Sequence, residues 1–280
     1  MAGSKLTRIS DSIYAYVGAN DDSISNSYGA NAGIIVGQDA VLVIDTLISN
    51  NKVKAFIEDI RVITGKPIRF VVNTHSHLDH SFGNSAFAEI GAIIISHANA
   101  IRIMKKRSQK ILEKVNIYLG EEKMAGTRIV YPQLTFTERM EVDLGGLQIK
   151  LRYITHSHTK GSVYAYFPAQ KVLFAGDILF TEYYANMSMS DVNGWVETID
   201  HLMGLDVEHI VPGHGPLSVK KDLTDMRDYL IVFDKKAKEL SASNNDSKLV
   251  AEQLKGMIPQ KPKREKLIKS SLRKYMRKKK

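Results

Sequence analysis

The feature that most constrains the fold of this 280-residue chain is a dense run of polar side chains directly after a buried strand. Residues 68–73 (IRFVVN) read as a strand covered on both faces, and the segment His75-Ser-His77-Leu-Asp79-His80 follows at once. A loop at the end of such a strand is held by a rigid sheet and stays within reach of a ligand. The sequence therefore predicts an α/β fold with a functional site at this sheet edge.

The residue types in this segment indicate metal binding. Four nitrogen or oxygen donors within six residues suit zinc or another borderline divalent ion. Residues two apart in an extended chain face the same way, so His75, His77 and Asp79 can converge while His80 turns to the other side of a cluster. The alternative is a polar loop in which the histidines fall by chance.

Short β-branched runs alternate with longer helical patterns along the rest of the chain. We expect strands at 32–36, 41–45, 92–96, 147–154, 162–167, 172–175 and 209–211, and helices at 49–63, 85–89, 99–119, 192–203, 223–240 and 247–257. No internal repeat interrupts this alternation, which predicts one continuous α/β core.

Three further motifs follow in order, namely His158-Thr-Lys-Gly161, Gly176-Asp177 and Gly213-His214-Gly215. With the first motif they resemble the signatures of the metallo-β-lactamase-fold hydrolases, from about residue 12 to about residue 218. The resemblance implies an α/β (α+β) fold, a four-layer αββα sandwich with a binuclear metal site at one edge. It implies the following ligands: His75, His77 and His158 for one ion, Asp79, His80 and His214 for the other, and Asp177 as the bridge between them.

The resemblance also implies a reaction. A metal-bound hydroxide would cleave an ester, lactone, thioester, amide (β-lactam) or phosphodiester bond, with Asp79 as the catalytic residue that orients it and transfers a proton. Two divalent ions are expected, zinc first and iron or manganese as alternatives. The best-known β-lactamase subclass carries cysteine at the position of Asp177, and this chain has no cysteine, which argues against that subclass.

Two other functions stay open. One is a mononuclear iron persulfide dioxygenase, which has a similar histidine motif. The other is a nucleic-acid-processing metallohydrolase that uses the C-terminal residues 261–280, where 11 Lys or Arg stand against the single Glu265. This basic tail carries a net charge of +10 against −1 for residues 1–260, so it accounts for the formal charge of +9, and it would contact nucleic acid or another anionic surface. Apolar residues among its charges allow a basic amphipathic helix, and a solvated, disordered end is the alternative.

Several side chains are weaker candidates. His156 is an alternative to His158 as a ligand, and His97, His201 and His209 match no motif. Tyr183, Tyr184, Asn186 and the loop 20–28 are candidates for a substrate groove, in which Tyr184 would hydrogen-bond a substrate oxygen. The amphipathic segment 99–119 is expected to pack on the sandwich, with a lid or a dimer contact as alternatives.

We expect a catalytic domain at residues 1–240 and a C-terminal helical extension with the basic tail at residues 241–280. No stretch of 18 apolar residues is present, and the first residues lack the apolar core of a secretory signal. The expectation is a cytoplasmic enzyme with a small-molecule substrate and no transmembrane segment. The oligomeric state stays open.

Overall fold

The computed structural model describes residues 6–18 and 21–276, and its strands form two facing β-sheets with helices on their outer faces. Asn20, the first residue of the candidate groove loop, and residues 277–280 of the basic tail lie outside the described residues. The arrangement is the four-layer αββα sandwich that the sequence motifs imply.

The first sheet contains seven strands in sequential order. They are β1 (Leu6–Arg8), β2 (Ile13–Tyr16), β3 (Ala32–Val36), β4 (Val41–Ile44), β5 (Ile68–Asn73), β6 (Ile93–His97) and β7 (Leu134–Phe136). Strands β1 to β4 pair antiparallel and β4 to β7 pair parallel. Parallel pairing brings the carboxyl ends of these strands to one edge of the sheet.

The second sheet has the order β12-β11-β10-β9-β8. Its strands are β8 (Arg139–Asp143), β9 (Gln148–Arg152), β10 (Tyr164–Phe167), β11 (Val172–Phe180) and β12 (His209–His214). The strands expected to end at Ala175 and Val211 continue to Phe180 and His214. Pro212 is tolerated in β12 because this strand is at the sheet edge, where a missing N–H breaks no ladder.

Helices cover the outer faces of both sheets. They are α1 (Asn50–Ile63), α2 (Leu78–Ser81), α3 (Asn84–Glu89), α4 (Ala98–Leu119), α5 (Glu121–Met124), α6 (Val192–Met203), α7 (Lys220–Ser243), α8 (Ser247–Lys255) and α9 (Lys266–Ser271). Helix α1 begins after Ser49, whose hydroxyl accepts the Lys52 N–H as an N-cap. Among the described residues, no helix is both long and apolar enough to cross a membrane.

Three apolar clusters separate the layers. The inward faces of both sheets meet in one cluster, in which Leu42 and Val72 belong to the first sheet and Phe174 and Val211 to the second. A second cluster packs α1 and α3 on the outer face of the first sheet. A third packs α6, α7, α8 and α9 on the outer face of the second sheet. The sandwich is therefore closed on both sides, and the site must lie at an edge.

The described part of the basic tail, residues 261–276, is folded onto the body. Ile268 of α9 and Leu272 of the short 3-10 helix Leu272–Lys274 are buried in the same cluster as α7 and α8. The alternative of a solvated, disordered end is therefore wrong for these residues. Their helix is amphipathic, and its apolar side packs against the protein.

The long helix α4 packs by its apolar side, as expected. Met104, Leu112 and Val115 are buried, and Leu112 and Val115 contact a small cluster with Phe82 and Met124. The last turn instead exposes Ile117 and Tyr118, at 87% and 76% of their surfaces.

Candidate metal centre

The first cluster consists of four side chains that three separate segments bring together: His75, His77, His158 and Asp177. His75 and His77 follow β5, His158 lies between β9 and β10, and Asp177 lies inside β11. One donor atom from each lies within 4.8 Å of the others. His77 Nδ1 and His158 Nε2 are 3.0 Å apart.

The second cluster consists of Asp79, His80 and His214. The first two belong to the short helix α2, and His214 ends β12. His80 Nε2 lies 3.3 Å from His214 Nε2, and Asp79 Oδ2 lies 3.4 Å from the same His214 atom. All three side chains are buried.

Asp177 stands between the two clusters. Its Oδ2 is 3.4 Å from His75 Nε2 and 3.2 Å from His158 Nε2. Its Oδ1 is 3.2 Å from His80 Nε2 and 3.4 Å from His214 Nε2. Each carboxylate oxygen therefore faces the imidazoles of a different cluster, which is the position a bridging ligand needs.

The donor atoms of the second cluster fit a cation. His80 Nδ1 donates to Asp45 Oδ2 at 2.8 Å, and His214 Nδ1 donates to the Tyr28 carbonyl at 3.2 Å. In the neutral tautomers these bonds fix, both Nε2 atoms carry lone pairs, and the lone pairs face each other. A positive ion between them removes the repulsion.

The first cluster fits a cation for a related reason. The Nε2 atom of His75 in this cluster is buried without a hydrogen-bond partner among the described residues, as is the Asp177 Oδ1 atom that faces the second cluster. Buried polar atoms are rarely left unpaired, because each loses its hydration without compensation. Imidazole nitrogens around a carboxylate form a donor set suited to zinc and similar ions.

Asp45, directly after β4, orients histidines of both clusters. Its carboxylate accepts from His80 Nδ1, and from the backbone N–H and the hydroxyl of Thr74, both at 2.7 Å. Since the Thr74 hydroxyl donates to Asp45, it can accept from His75 Nδ1, 3.1 Å away. One buried carboxylate thus fixes His80 directly and His75 through Thr74. The residue has a φ of 61°, in the left-handed region.

The local electrostatics favour a positive charge beside His80, which a bound cation would supply in place of a proton on Nε2. Burial opposes a charged imidazole, but the carboxylates of Asp177, Asp45 and Asp79 together hold the pKa of His80 well above its usual value. Loss of hydration instead lowers the pKa of His77 well below its usual value and that of His158 to about 4. Although burial also opposes ionisation of Asp177, the surrounding imidazoles hold its pKa well below its usual value.

The absence of a side chain at Gly213 leaves space for the Asp177 carboxylate. A Cβ at residue 213 would overlap Asp177 Oδ1 and lie 2.7 Å from the Asp177 backbone nitrogen. This close approach of β12 to β11 accounts for the glycine before His214.

Aromatic rings pack around the ligands. The Phe180 ring stacks on the His214 ring, with centroids 5.2 Å apart and planes 3° apart. Trp195 of α6 meets the His158 ring edge-on at 5.1 Å, and its Nε1 donates to the Ile178 carbonyl at 2.9 Å. These contacts limit the rotation of His158 and His214.

A cavity of about 100 Å³ opens onto the two clusters. Its polar lining includes Asp79, Asp177 and His214, and aromatic and aliphatic side chains complete the wall. The other lining residues are Tyr28, His77, Leu78, Phe180, Tyr183, Asn186, Arg264 and Leu267. The cavity therefore gives a ligand access to both clusters.

The groove candidates divide into two groups. Tyr28, Tyr183 and Asn186 line the cavity. Tyr184 is 1% exposed, is not part of that lining, and its hydroxyl lies 3.2 Å from Gln260 Oε1. A contact between Tyr184 and substrate remains a prediction that this geometry does not support.

The other histidines lie outside both clusters. His156 Nε2 donates to the Met189 carbonyl at 2.8 Å, so His158 is the one brought to Asp177. His97 caps α4 and stacks on Tyr153. His201 Nε2 is 2.9 Å from the Tyr164 hydroxyl, and His209 is exposed.

Sequence reasoning overlooked Asp45 and Arg264. Asp45 could have been selected from the sequence, because it directly follows a buried strand, and that strand pairs parallel with β5. Arg264 could not have been selected from the sequence, since only the folded C-terminal segment brings it to the cavity.

Comparison with known proteins gives one consistent family. The sequence model of the Metallo-beta-lactamase superfamily matches residues 27–214. The chain is 26% identical to the metallo-beta-lactamase type 2 of Elizabethkingia meningoseptica over 245 residues, 86% of this chain and 89% of that protein. It is 27% identical over 183 residues to the 2,4-dinitroanisole O-demethylase subunit alpha of Nocardioides sp. (strain JS1661), 64% of this chain. That match spans about half of the relative, 51% of its length.

Solved structures share the fold. The metallo-beta-lactamase from Pontibacter korlensis superposes with a TM-score of 0.67 at 20% identity, over 81% of this chain and 98% of that one. At this identity the likeness concerns the fold, and the chemistry must be argued from the two clusters.

Proposed function

Since the chain belongs to the metallo-beta-lactamase superfamily of metal-dependent hydrolases, we propose that its two clusters together hold two divalent ions and that it hydrolyses an ester-type bond. The observation that carries the proposal is the position of Asp177, whose two oxygens face different clusters at 3.2–3.4 Å. Zinc is the ion we propose first, because imidazole and carboxylate donors suit it.

Bound ions of this kind supply hydroxide at neutral pH and polarise the group under attack. The side chains of the protein supply proton transfer, the orientation of the imidazoles and the restriction of water. Asp79 lines the cavity, so its carboxylate can accept a proton from a group bound there as well as bind a cation, and its Oδ2 lies 3.4 Å from His214 Nε2. Asp45 holds His80 and His75 in the tautomers that leave Nε2 free. The aromatic wall of Phe180 and Tyr183 restricts water in the cavity.

The bond type is the open part of the proposal. The names of the relatives denote a β-lactamase and an O-demethylase, so the family alone does not choose the substrate. The absence of cysteine from the chain argues against the thiolate-bearing subclass of β-lactamases. We propose a small-molecule ester, lactone, thioester, amide (β-lactam) or phosphodiester, and we keep the cytoplasmic location and the 1–240 catalytic domain as predictions.

The test combines metal analysis with a substrate panel. Protein purified without added metal is analysed for bound elements and assayed on a cephalosporin, a lactone, a thioester and a phosphodiester. About two equivalents of zinc with turnover of one class supports the proposal, and Asp79→Asn should then weaken binding of the second ion and lose most of kcat. One equivalent of iron without hydrolysis would support the persulfide dioxygenase, and protein without metal would refute the site.

A further inference from the structure

The C-terminal segment places a cation in the wall of the metal cavity. Arg264 lines this cavity together with Asp79, Asp177 and His214. It lies beyond residue 214, where the match to the family model ends, so the family assignment says nothing about it.

Two contacts of its own side chain hold Arg264 in place. Its guanidinium lies over the Tyr28 ring, 4.1 Å from the centroid, and donates to the Asp22 carbonyl at 3.2 Å. The backbone is anchored too, because Lys263 N donates to Glu182 O at 3.1 Å and Tyr184 N donates to Lys263 O at 3.0 Å. The guanidinium is therefore positioned before any ligand arrives, which lowers the entropy lost on binding.

Arg264 is half-buried and lacks an anionic partner in the part of the chain that the structure describes. The residues on either side do have partners of opposite charge. Lys263 Nζ lies 3.6 Å from Glu182 Oε2, and Glu265 Oε2 lies 2.6 Å from Lys255 Nζ. A partly desolvated cation without a carboxylate is unfavourable by itself. Its planar group of N–H donors matches carboxylate, sulfate and phosphate oxygens.

The backbone at this contact is strained. Arg264 has a φ of 66° and Tyr28 a φ of 55°, both in the left-handed region that side chains disfavour. Strain of this kind persists where the surrounding structure enforces it, often at ligand sites. Here the strained backbone angles belong to Tyr28 and Arg264, which both line the cavity.

The chemistry of the cavity suggests what Arg264 binds, and this step rests on the proposed function. Two divalent ions would balance the three carboxylates of Asp45, Asp79 and Asp177 together with a bound hydroxide, and Arg264 then gives the cavity a net positive charge. Asn186 offers an amide donor as well, since its Oδ1 already accepts from Ser188. Leu78 and Leu267 make part of the wall apolar.

We infer that Arg264 determines substrate specificity by binding an anionic oxygen group of the substrate, so that the enzyme prefers esters with an apolar body and a negative charge. Carboxylate, sulfate and phosphodiester groups share this chemistry. Mono-p-nitrophenyl glutarate, p-nitrophenyl sulfate and bis-p-nitrophenyl phosphate separate them, and p-nitrophenyl valerate is the neutral ester matched in length to the glutarate.

The experiment compares kcat/KM of zinc-loaded, full-length variants. Arg264→Gln should lower kcat/KM for the preferred anionic ester about 10–100-fold, mainly through KM, and change that for the valerate by less than about threefold. Lys269→Gln removes the same charge from an exposed position of α9 and should change neither. Arg264→Gly removes the cation and also suits the positive φ, so it tests the same loss if Arg264→Gln folds poorly.

A binding measurement separates this inference from the proposed function. The melting temperature of the zinc-loaded protein is measured with p-toluenesulfonate, an anion with an apolar ring and no ester bond to cleave. Stabilisation of the wild type and of Lys269→Gln, but not of Arg264→Gln, supports the anion site even if no ester is hydrolysed. Hydrolysis without preference for anionic esters, or equal losses on both esters in Arg264→Gln, overturns the inference and leaves the hydrolase proposal standing.

Discussion

At the scale of single residues, Asp45 offers a test of how the ligands are oriented. Its carboxylate accepts from His80 Nδ1 and from two groups of Thr74. Asp45→Asn removes the charge and turns part of this acceptor into a donor. We expect zinc affinity to fall about 10–100-fold, as measured by competition with a chromogenic chelator. Asp39→Asn, at an exposed position, is the control, and equal affinity of the two variants would contradict the role of Asp45.

Gly213 offers a test of the room around Asp177. In Gly213→Ala the new methyl group would overlap the Asp177 carboxylate, so the carboxylate or the strand β12 must move. We expect a loss of about 1–3 kcal/mol in the free energy of unfolding and at least a tenfold loss of zinc affinity. Gly65→Ala meets no atom within 4 Å and should be close to neutral. Unchanged zinc binding by Gly213→Ala would show that the strands adjust freely.

The sequence was most informative where a motif is dense. The seven residues it selected as ligands, which lie in four separate segments of the sequence, are the ones that the structure gathers into two clusters. Their roles as ligands stay predictions until an ion is measured. Asp45 was overlooked although it directly follows a buried strand, because its contacts exist only after β4 and β5 pair. Arg264 was overlooked because a single charge in a basic segment carries no pattern, and its contacts exist only after the C-terminal segment folds back.

At the scale of secondary structure, the C-terminal segment is part of the core. Leu272 is fully buried between α7, α8 and the loop after β11. We expect Leu272→Ala to lower the free energy of unfolding by about 2–5 kcal/mol in urea denaturation. Lys269→Ala, on the exposed side of α9, should stay within about 0.5 kcal/mol of the wild type. A similar value for both variants would mean that the segment folds independently of the body.

Continuous apolar periodicity gave the best element boundaries. The expected spans 68–73 and 192–203 coincide with β5 and α6. Strand β11 was expected to be shorter, because Gly176 and Asp177 suggested a turn. Gly176 instead takes a φ of 52° within the strand, at an irregularity in its pairing with β12. The expected elements left out β1, β2, β7 and β8.

At the scale of the whole molecule, the metal centre joins the two sheets. His75 and His77 follow a strand of the first sheet, and Asp177 and His214 lie in strands of the second. Removal of the ions should therefore destabilise the entire sandwich. At a free zinc concentration of about 100 times Kd, linkage gives about 2.7 kcal/mol, which corresponds to a melting temperature about 5–10 °C higher than with a chelator. Re-addition of zinc should restore it, and equal melting temperatures would contradict structural coupling.

The fold class followed from the order of four motifs, and the family match and the solved structures agree with it. The placement of the basic tail did not follow from the sequence. Its charges suggested contact with solvent or a polyanion, yet burial of Ile268 and Leu272 outweighs them over residues 261–276. Composition describes a segment's average preference, and a few apolar side chains at helical spacing determine where it packs.

Trp195, the one tryptophan of the chain, sits edge-on to the imidazole of His158. All indole emission of this protein therefore originates beside a histidine of the first cluster. Binding of a quenching ion such as Co²⁺ should lower the tryptophan fluorescence intensity, and displacement of Co²⁺ by Zn²⁺ should restore that intensity. Tryptophan fluorescence therefore reports metal occupancy of the first cluster without an added label, because no second indole contributes to the signal.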